Sequence, residues 1–174
     1  MPKSTIYTVG HSTRSAEEFV SLLRWHGVCQ LADVRSIPRS RHNPQFAQPA
    51  LTTTLAEAGI ACRVLAQLGG LRHSHQDSPN TGWRNASFRG FADYMQTGEF
   101  AAGAGELEAW ARLAPTAIMC AEAVPWRCHR SLIGDALEAR GWQVLDIMGE
   151  KPASPHRTTP FLRVVEGRLT YPSP

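Results

Sequence analysis

TIYTVGHSTRSAEEFVSLLRWHGVCQLADV, residues Thr5–Val34, reads as strand, helix and strand. Thr5 to Val9 is rich in β-branched and aromatic side chains and is closed by Gly10. Ser15 stands three residues before Glu18. At that spacing a serine caps the first helical amides and the glutamate caps the serine amide in return. Phe19, Leu22, Leu23 and His26 then share one helical face, and Gly27 ends the helix. Val28 to Val34 is a second strand. Two strands joined through a helix form a parallel pair, so this stretch starts a parallel sheet.

The alternation continues to the end of the chain. A helix over about 50–58 stops at Gly59, and Ile60 to Leu65 is a third strand. Phe88, Phe91, Ala92 and Met95 recur at helical spacing, and a further helix runs from about 99 to 113. Thr116 to Cys120 is a compact apolar strand. His129 to Arg140 is a helix with Leu132, Ile133, Ala136 and Leu137 inward, and Gly141 as its stop. Trp142 to Ile147 is a strand, and Phe161–Val165 with Arg168–Tyr171 forms a hairpin around Glu166-Gly167. Residues 35–49, 66–86 and 121–128 are loops. Repeats and an interdomain linker are both absent from the sequence. The expected fold is therefore one α/β domain over residues 1–174, in three α/β/α layers, with a mainly parallel sheet and a C-terminal β-hairpin.

Composition narrows the function. The chain has 174 residues, 43% hydrophobic and 19% charged, which is a globular mixture. It holds no apolar run of about 18 residues, so no membrane helix is expected. Its start carries no signal-peptide core, so the expected compartment is the cytoplasm. The four cysteines at 29, 62, 120 and 128 then read as reduced thiols, with Cys29 and Cys62 as core residues of strands. Net charge is +3, and 16 of the 18 basic residues are arginine. Codon bias alone could set that ratio. The basic excess, however, sits in residues 35–89, where seven arginines face only Glu57 and Asp77.

Ligands of open parallel sheets bind beyond the carboxyl ends of the strands. After the first strand come His11, Ser12 and Thr13; after the second, Asp33, Arg35, Arg39 and Arg41; after the third, Trp83 and Arg84. After Cys120 come Glu122, Arg127, Cys128, His129 and Arg130, and after the last parallel strand comes His156. The histidines, the loop arginines and two cysteines thus gather on one rim. Arginine grips carboxylates and phosphates in two places at once, so the expected ligand is a small anion.

Several of these runs resemble one family. They are Gly10-His11-Ser12-Thr13, Asp33-Val34-Arg35-Ser36 through Asn43-Pro44-Gln45-Phe46, Leu68-Gly69-Gly70, Asn80-Thr81-Gly82-Trp83-Arg84, Cys120-Ala121-Glu122 with Cys128-His129-Arg130, and His156 with Thr159-Pro160. In that order they resemble the bacterial and archaeal family called domain of unknown function 488. The resemblance spans nearly the whole chain. It departs at Ala61-Cys62-Arg63, where an aromatic is expected, and over residues 149–155. It implies a fold and a set of shared positions, and no established reaction. Residues Thr116 to Gly149 also resemble the catalytic half of a rhodanese, a sulfurtransferase domain. The spacing differs there, with six residues between Cys120 and Arg127 and nine between Cys120 and Arg130.

Three functions follow as expectations. The first is an enzyme, a thiol-dependent transferase or hydrolase, for a small anionic or nucleotide-like ligand. Cys120 would be its nucleophile, Glu122 and His129 its acid and base. Its ligand would be held by His11, Ser12, Thr13, Asp33, Arg35, Arg39, Arg41, Trp83, Arg84, Arg127, Arg130 and His156. A cysteine at a helix N-terminus among arginines is stabilised as thiolate. The second is a nucleic-acid-binding module using the basic 35–89 segment, with Trp83, Phe88 and Trp126 available for stacking. The third is a metal-binding or redox-sensing protein built on Cys128 and His129. No cofactor is expected, and a metal is not excluded. The membrane is not an expected partner, and the oligomeric state is open.

Overall fold

A computed structural model describes residues 2–174. Five helices and eight strands are found among them. The strands are β1 (Thr5–Gly10), β2 (Gln30–Asp33), β3 (Ala61–Val64), β4 (Thr116–Cys120), β5 (Gln143–Ile147), β6 (Ser154–Pro155), β7 (Arg163–Val165) and β8 (Arg168–Thr170). The helices are α1 (Ala16–Trp25), α2 (Gln48–Glu57), α3 (Ala86–Tyr94), α4 (Gly98–Ala111) and α5 (Arg130–Ala139). The sheet order is β3-β2-β4-β1-β5-β6. The first five strands are parallel and β6 is antiparallel. The β6 strand was not foreseen: it is a two-residue edge strand containing Pro155, a position where proline costs no ladder bond.

The order explains the layers. From β1 the chain steps to β2 and β3 in one direction, then returns to β4 and β5 in the other. With right-handed crossovers, opposite steps place their helices on opposite faces. The core divides accordingly. Val9, Leu31, Ala117, Met119 and Ile147 pack with Phe19, Leu23, Leu51 and Leu55 of α1 and α2. Ile6, Ala32, Ile118 and Val144 pack with residues of α3, α4 and α5 on the other face. Successive strand residues point to opposite faces, which is why Cys120 shares the α5 face with Ile118. Neighbouring β1 and β4 send their connections to opposite sides, and the loop after β4 crosses over Gly10 at the end of β1.

Local chemistry sets the ends of these elements. Ser15 and Glu18 form the expected capping box on α1. Asn85 caps α3 with its side chain and Thr97 caps α4. Glu166 and Gly167, at φ 52° and 79°, make the tight hairpin turn between β7 and β8. Cys29 is exposed rather than core, because β2 begins one residue later; Cys62 lies on the edge strand β3 and is half-buried. Among the described residues, no helix is long and apolar enough to cross a membrane.

Candidate functional site

Arg130, the first residue of α5, is fully buried. Burying a guanidinium is costly unless its donors are satisfied and its charge is balanced. Its Nε donates to the Thr8 hydroxyl at 3.1 Å. Its Nη2 donates to the Ala123 carbonyl at 3.2 Å, and its Nη1 donates to the Glu122 carbonyl at 2.6 Å. The same Nη1 donates to the Cys120 sulfur at 2.7 Å. No carboxylate among the described residues lies within 4.0 Å of Arg130. Asp146 is reached only through Thr8, whose hydroxyl donates to it at 2.5 Å. Among the described residues, the sulfur of Cys120 is the one ionisable group in contact with the Arg130 guanidinium.

The Cys120 thiol is shifted accordingly. Burial pushes it up, but the hydrogen bond from Cys128, the charge and hydrogen bond of Arg130, and the Glu122 backbone outweigh burial. The result is a thiol lowered to about 7. Cys128 moves the other way, raised by its hydrogen bond to Cys120, by burial and by the Cys120 charge. The Arg130 backbone N–H also donates to the Cys128 sulfur, at 3.4 Å. Both sulfurs are thus held by one residue, Cys120 by its side chain and Cys128 by its amide.

His129 ties the loops together. Its Nε2 is 2.9 Å from the Val34 carbonyl and 3.0 Å from the Leu68 carbonyl. Carbonyls only accept, so Nε2 carries the proton and donates to both. Burial holds the ring neutral. The bare Nδ1 then faces the Cys128 sulfur at 3.5 Å. Gly70 is flat against this ring; a Cβ there would fall 2.6 Å from Nδ1. Gly10 is just as constrained, since a Cβ on it would lie 1.7 Å from the Glu122 carbonyl oxygen.

A cavity of about 300 Å³ opens over Cys120 and Cys128, between the ends of β2 and β4. Arg35, Arg39, Arg127, Glu122 and His129 line it, with Ile37, Leu71 and Phe88 as apolar wall. Arg35 is clamped by Asp33 through Nε and Nη2 at 2.9 and 2.7 Å. Its Nη1 is buried with no partner. Arg39, Arg127 and Glu122 are exposed and have no ion-pair partner within 4.0 Å among the described residues.

Other residues named from the sequence fall elsewhere. His11 is buried against Phe46, with ring centroids 4.3 Å apart. Its Nδ1 is bonded to the Ser12 carbonyl at 2.8 Å, and its Nε2 is a buried acceptor without a partner. Burial lowers its pKa. Ser12 takes a left-handed φ of 53° to turn the chain, and Thr13 is exposed. Asp33 has its oxygens filled by Arg35 and Gln48. Arg41 and Arg84 are exposed and outside the cavity lining. Trp83 packs on Phe88, Phe161 and Tyr171, an aromatic cluster rather than a stacking platform. His156 donates to Asp135 at 2.8 Å beneath a different cavity, one lined by Trp126, Asp146 and Arg157. Among the described residues, the ligand-type side chains that gather in a group of three within 4.8 Å are Asp135, Glu138 and His156; Cys128 and His129 come together only as a pair, at 3.5 Å. Asp135 is already occupied, by His156, the Thr159 amide and the Tyr171 hydroxyl.

Sequence reasoning missed Thr8 and Asp146. The signal was present: each is a polar residue flanked by apolar or aromatic neighbours within its strand. Such residues need a buried partner.

No curated protein and no solved structure matches the chain. The likeness to rhodaneses thus rests on the sequence of one segment. A family does match, described as Domain of unknown function DUF488, over residues 15–137. That span holds β2, β3, β4 and the start of α5, with Asp33, Arg35, Cys120, Cys128 and Arg130. The chain belongs to this family of domain of unknown function DUF488.

Proposed function

We propose that the cavity binds a small anionic substrate and that the Cys120 thiolate attacks it, making the protein a thiol-dependent transferase or hydrolase. The observation that supports this reading is the buried Arg130, whose guanidinium touches the Cys120 sulfur at 2.7 Å and no carboxylate within 4.0 Å among the described residues. A structural cysteine needs no such partner and is disfavoured as thiolate by burial. A nucleophile does need it.

The anion would enter beside the sulfur. Arg35 offers its unpartnered Nη1, rigidly aimed because Asp33 holds the rest of the guanidinium. Arg39 and Arg127 add mobile charge at the mouth. Ile37, Leu71 and Phe88 suit an apolar or aromatic part of the same molecule. On attack, a bond forms from sulfur to the electrophilic atom and the leaving group departs with its electron pair. Glu122, exposed at the rim, is the carboxylate placed to exchange a proton there. His129 positions Cys128 and the loops.

The nucleic-acid reading has less support. Of the basic 35–89 segment, Arg35 is held by Asp33, Arg72 by the Gly69 and Ala66 carbonyls, and Arg89 by the Trp83 carbonyl. Arg63 lies over the Trp110 ring. These contacts break up a continuous basic track.

Protection against alkylation tests the proposal. Phosphate, sulfate or a nucleoside monophosphate should slow iodoacetamide labelling of Cys120, and Arg127→Ala should remove the protection. Equal labelling with and without every anion would sink the anion-site reading.

A further inference from the structure

Cys128 forms no bond to the substrate in the reaction just described, yet it is buried in the lining of the same cavity as Cys120. Both sulfurs line the same cavity and both are bonded to Arg130, through Nη1 at 2.7 Å and through the backbone N–H at 3.4 Å. We propose that Cys120 and Cys128 form a reversible disulfide when a hydroperoxide enters the cavity, with Cys120 as the attacking thiol and Cys128 as the resolving one. The proposal rests on the reading of Cys120 as a thiolate; it adds an oxidant and a partner for it.

The chemistry closes in two steps. The Cys120 thiolate attacks the outer oxygen of the hydroperoxide. A sulfur–oxygen bond forms, the oxygen–oxygen bond breaks, and the alkoxide or hydroxide leaves to take a proton from solvent. Cys120 is then a sulfenic acid. Next the Cys128 sulfur attacks the Cys120 sulfur. A disulfide bond forms, the sulfur–oxygen bond breaks, and the hydroxide leaves as water with the Cys128 proton. A low-molecular-weight thiol reduces the disulfide back to two thiols and is itself oxidised to a disulfide.

The geometry suits these steps. Both sulfurs are anchored on Arg130 at one cavity wall, Cys120 by Nη1 at 2.7 Å and Cys128 by the backbone N–H at 3.4 Å. As Cys128 attacks, that amide stabilises its developing thiolate, and its proton leaves with the hydroxide as water. Cys29 and Cys62 lie away from this cavity: Cys29 is exposed before β2, and Cys62 sits on β3 beside Gln48.

The test uses the unmodified chain. It is treated with about one equivalent of hydrogen peroxide, alkylated and digested, in parallel with an untreated sample whose Cys120 alkylation rate is followed. The expected product is a peptide pair joined through Cys120 and Cys128, lighter by two hydrogens, with Cys29 and Cys62 still alkylated. Dithiothreitol should restore both thiols. In Cys128→Ser, whose hydroxyl can still donate to Cys120 and whose Cys120 alkylation rate is followed alongside, dimedone should instead trap a sulfenic acid at Cys120. Direct passage of wild-type Cys120 to the sulfinic acid, with Cys128 still a free thiol, would overturn the proposal, as would a disulfide to Cys29 or Cys62. If untreated Cys120 alkylates fast and no Cys120–Cys128 link forms, the disulfide alone has failed. If Cys120 alkylates slowly, the thiolate reading has failed with it.

Discussion

The Cys120 thiol is lowered by Cys128 and by Arg130 together. Arg130→Met removes the buried charge and leaves the Thr8 hydroxyl and two carbonyls with one donor fewer each. Its expected effect is a Cys120 thiol returned toward the ordinary range, and a stability loss of about 3 kcal/mol from the broken buried network. Alkylation kinetics and urea unfolding read the two effects separately. The paired thiols also give a signed pH dependence. Cys120 is lowered on folding, so its contribution is complete above the unfolded thiol value and lost as pH falls through about 7. Cys128 is raised, so its contribution is present at lower pH and lost as pH rises through the unfolded value. Stability relative to the Cys120→Ser/Cys128→Ser double variant should therefore rise from about pH 7, peak near the ordinary thiol range of about 8.5, and fall beyond it. A flat difference curve in urea unfolding across that window would contradict the assignment.

At the scale of elements, the site is built from strand ends that lie next to each other only in three dimensions. Gly10 at the end of β1 lets the loop after β4 cross directly over it. Gly10→Ala should push residues 121–123 away from Arg130 and cost roughly 1–3 kcal/mol, with loss of rapid Cys120 labelling. Unchanged stability and labelling would show that the crossing is slack. Much of this level was legible in the sequence. The capping box at Ser15 and Glu18, the apolar run Thr116–Cys120 and the inward face of α5 all follow from local pattern, and they are where the structure has them. Pairing is different. That β4 inserts between β2 and β1 depends on where the α3–α4 connection packs, and no local signal encodes it. The candidate site was legible as residue types on a rim. The division of labour was not. Asp33 spends its oxygens on Arg35 and Gln48, and His129 spends its Nε2 on two carbonyls, because the partners come from separate segments.

Across the whole molecule, one buried polar cluster fastens the C-terminal tail to the rest. Asp135 of α5 receives His156, the Thr159 amide and Tyr171. The Tyr171 amide in turn donates to Asn80, which donates to Asp93 of α3. Tail, long loop and two helices are thus closed into one unit. Burial lowers the His156 pKa, but the hydrogen bond and charge of Asp135, with Asp146 and Glu138, outweigh it and raise the group. The His156 contribution is then full below its ordinary value and lost as pH rises through the raised folded value. Asp135→Asn should shrink that loss, leaving the part due to Asp146 and Glu138, and lower stability by about 3–5 kcal/mol at slightly acid pH, read by urea unfolding. Hydrogen exchange should then quicken at both 156–171 and 78–94. Faster exchange in only one of these segments would show that they are not coupled. The same scale bears on partners: sulfate that binds native protein alone should raise the unfolding temperature, by about 2.7 kcal/mol of added stability at a hundredfold excess over Kd. No such rise would count against an anion site.

The proposed chemistry requires Cys120 to be a thiolate held by Arg130. The rate of Cys120 alkylation by iodoacetamide, followed by peptide mass spectrometry from about pH 5.5 to about pH 10, measures it directly. The predicted profile inflects near pH 7, with Cys120 labelled ahead of Cys128. An inflection at the ordinary thiol value of about 8.5 or above, or faster labelling of Cys128, would contradict it.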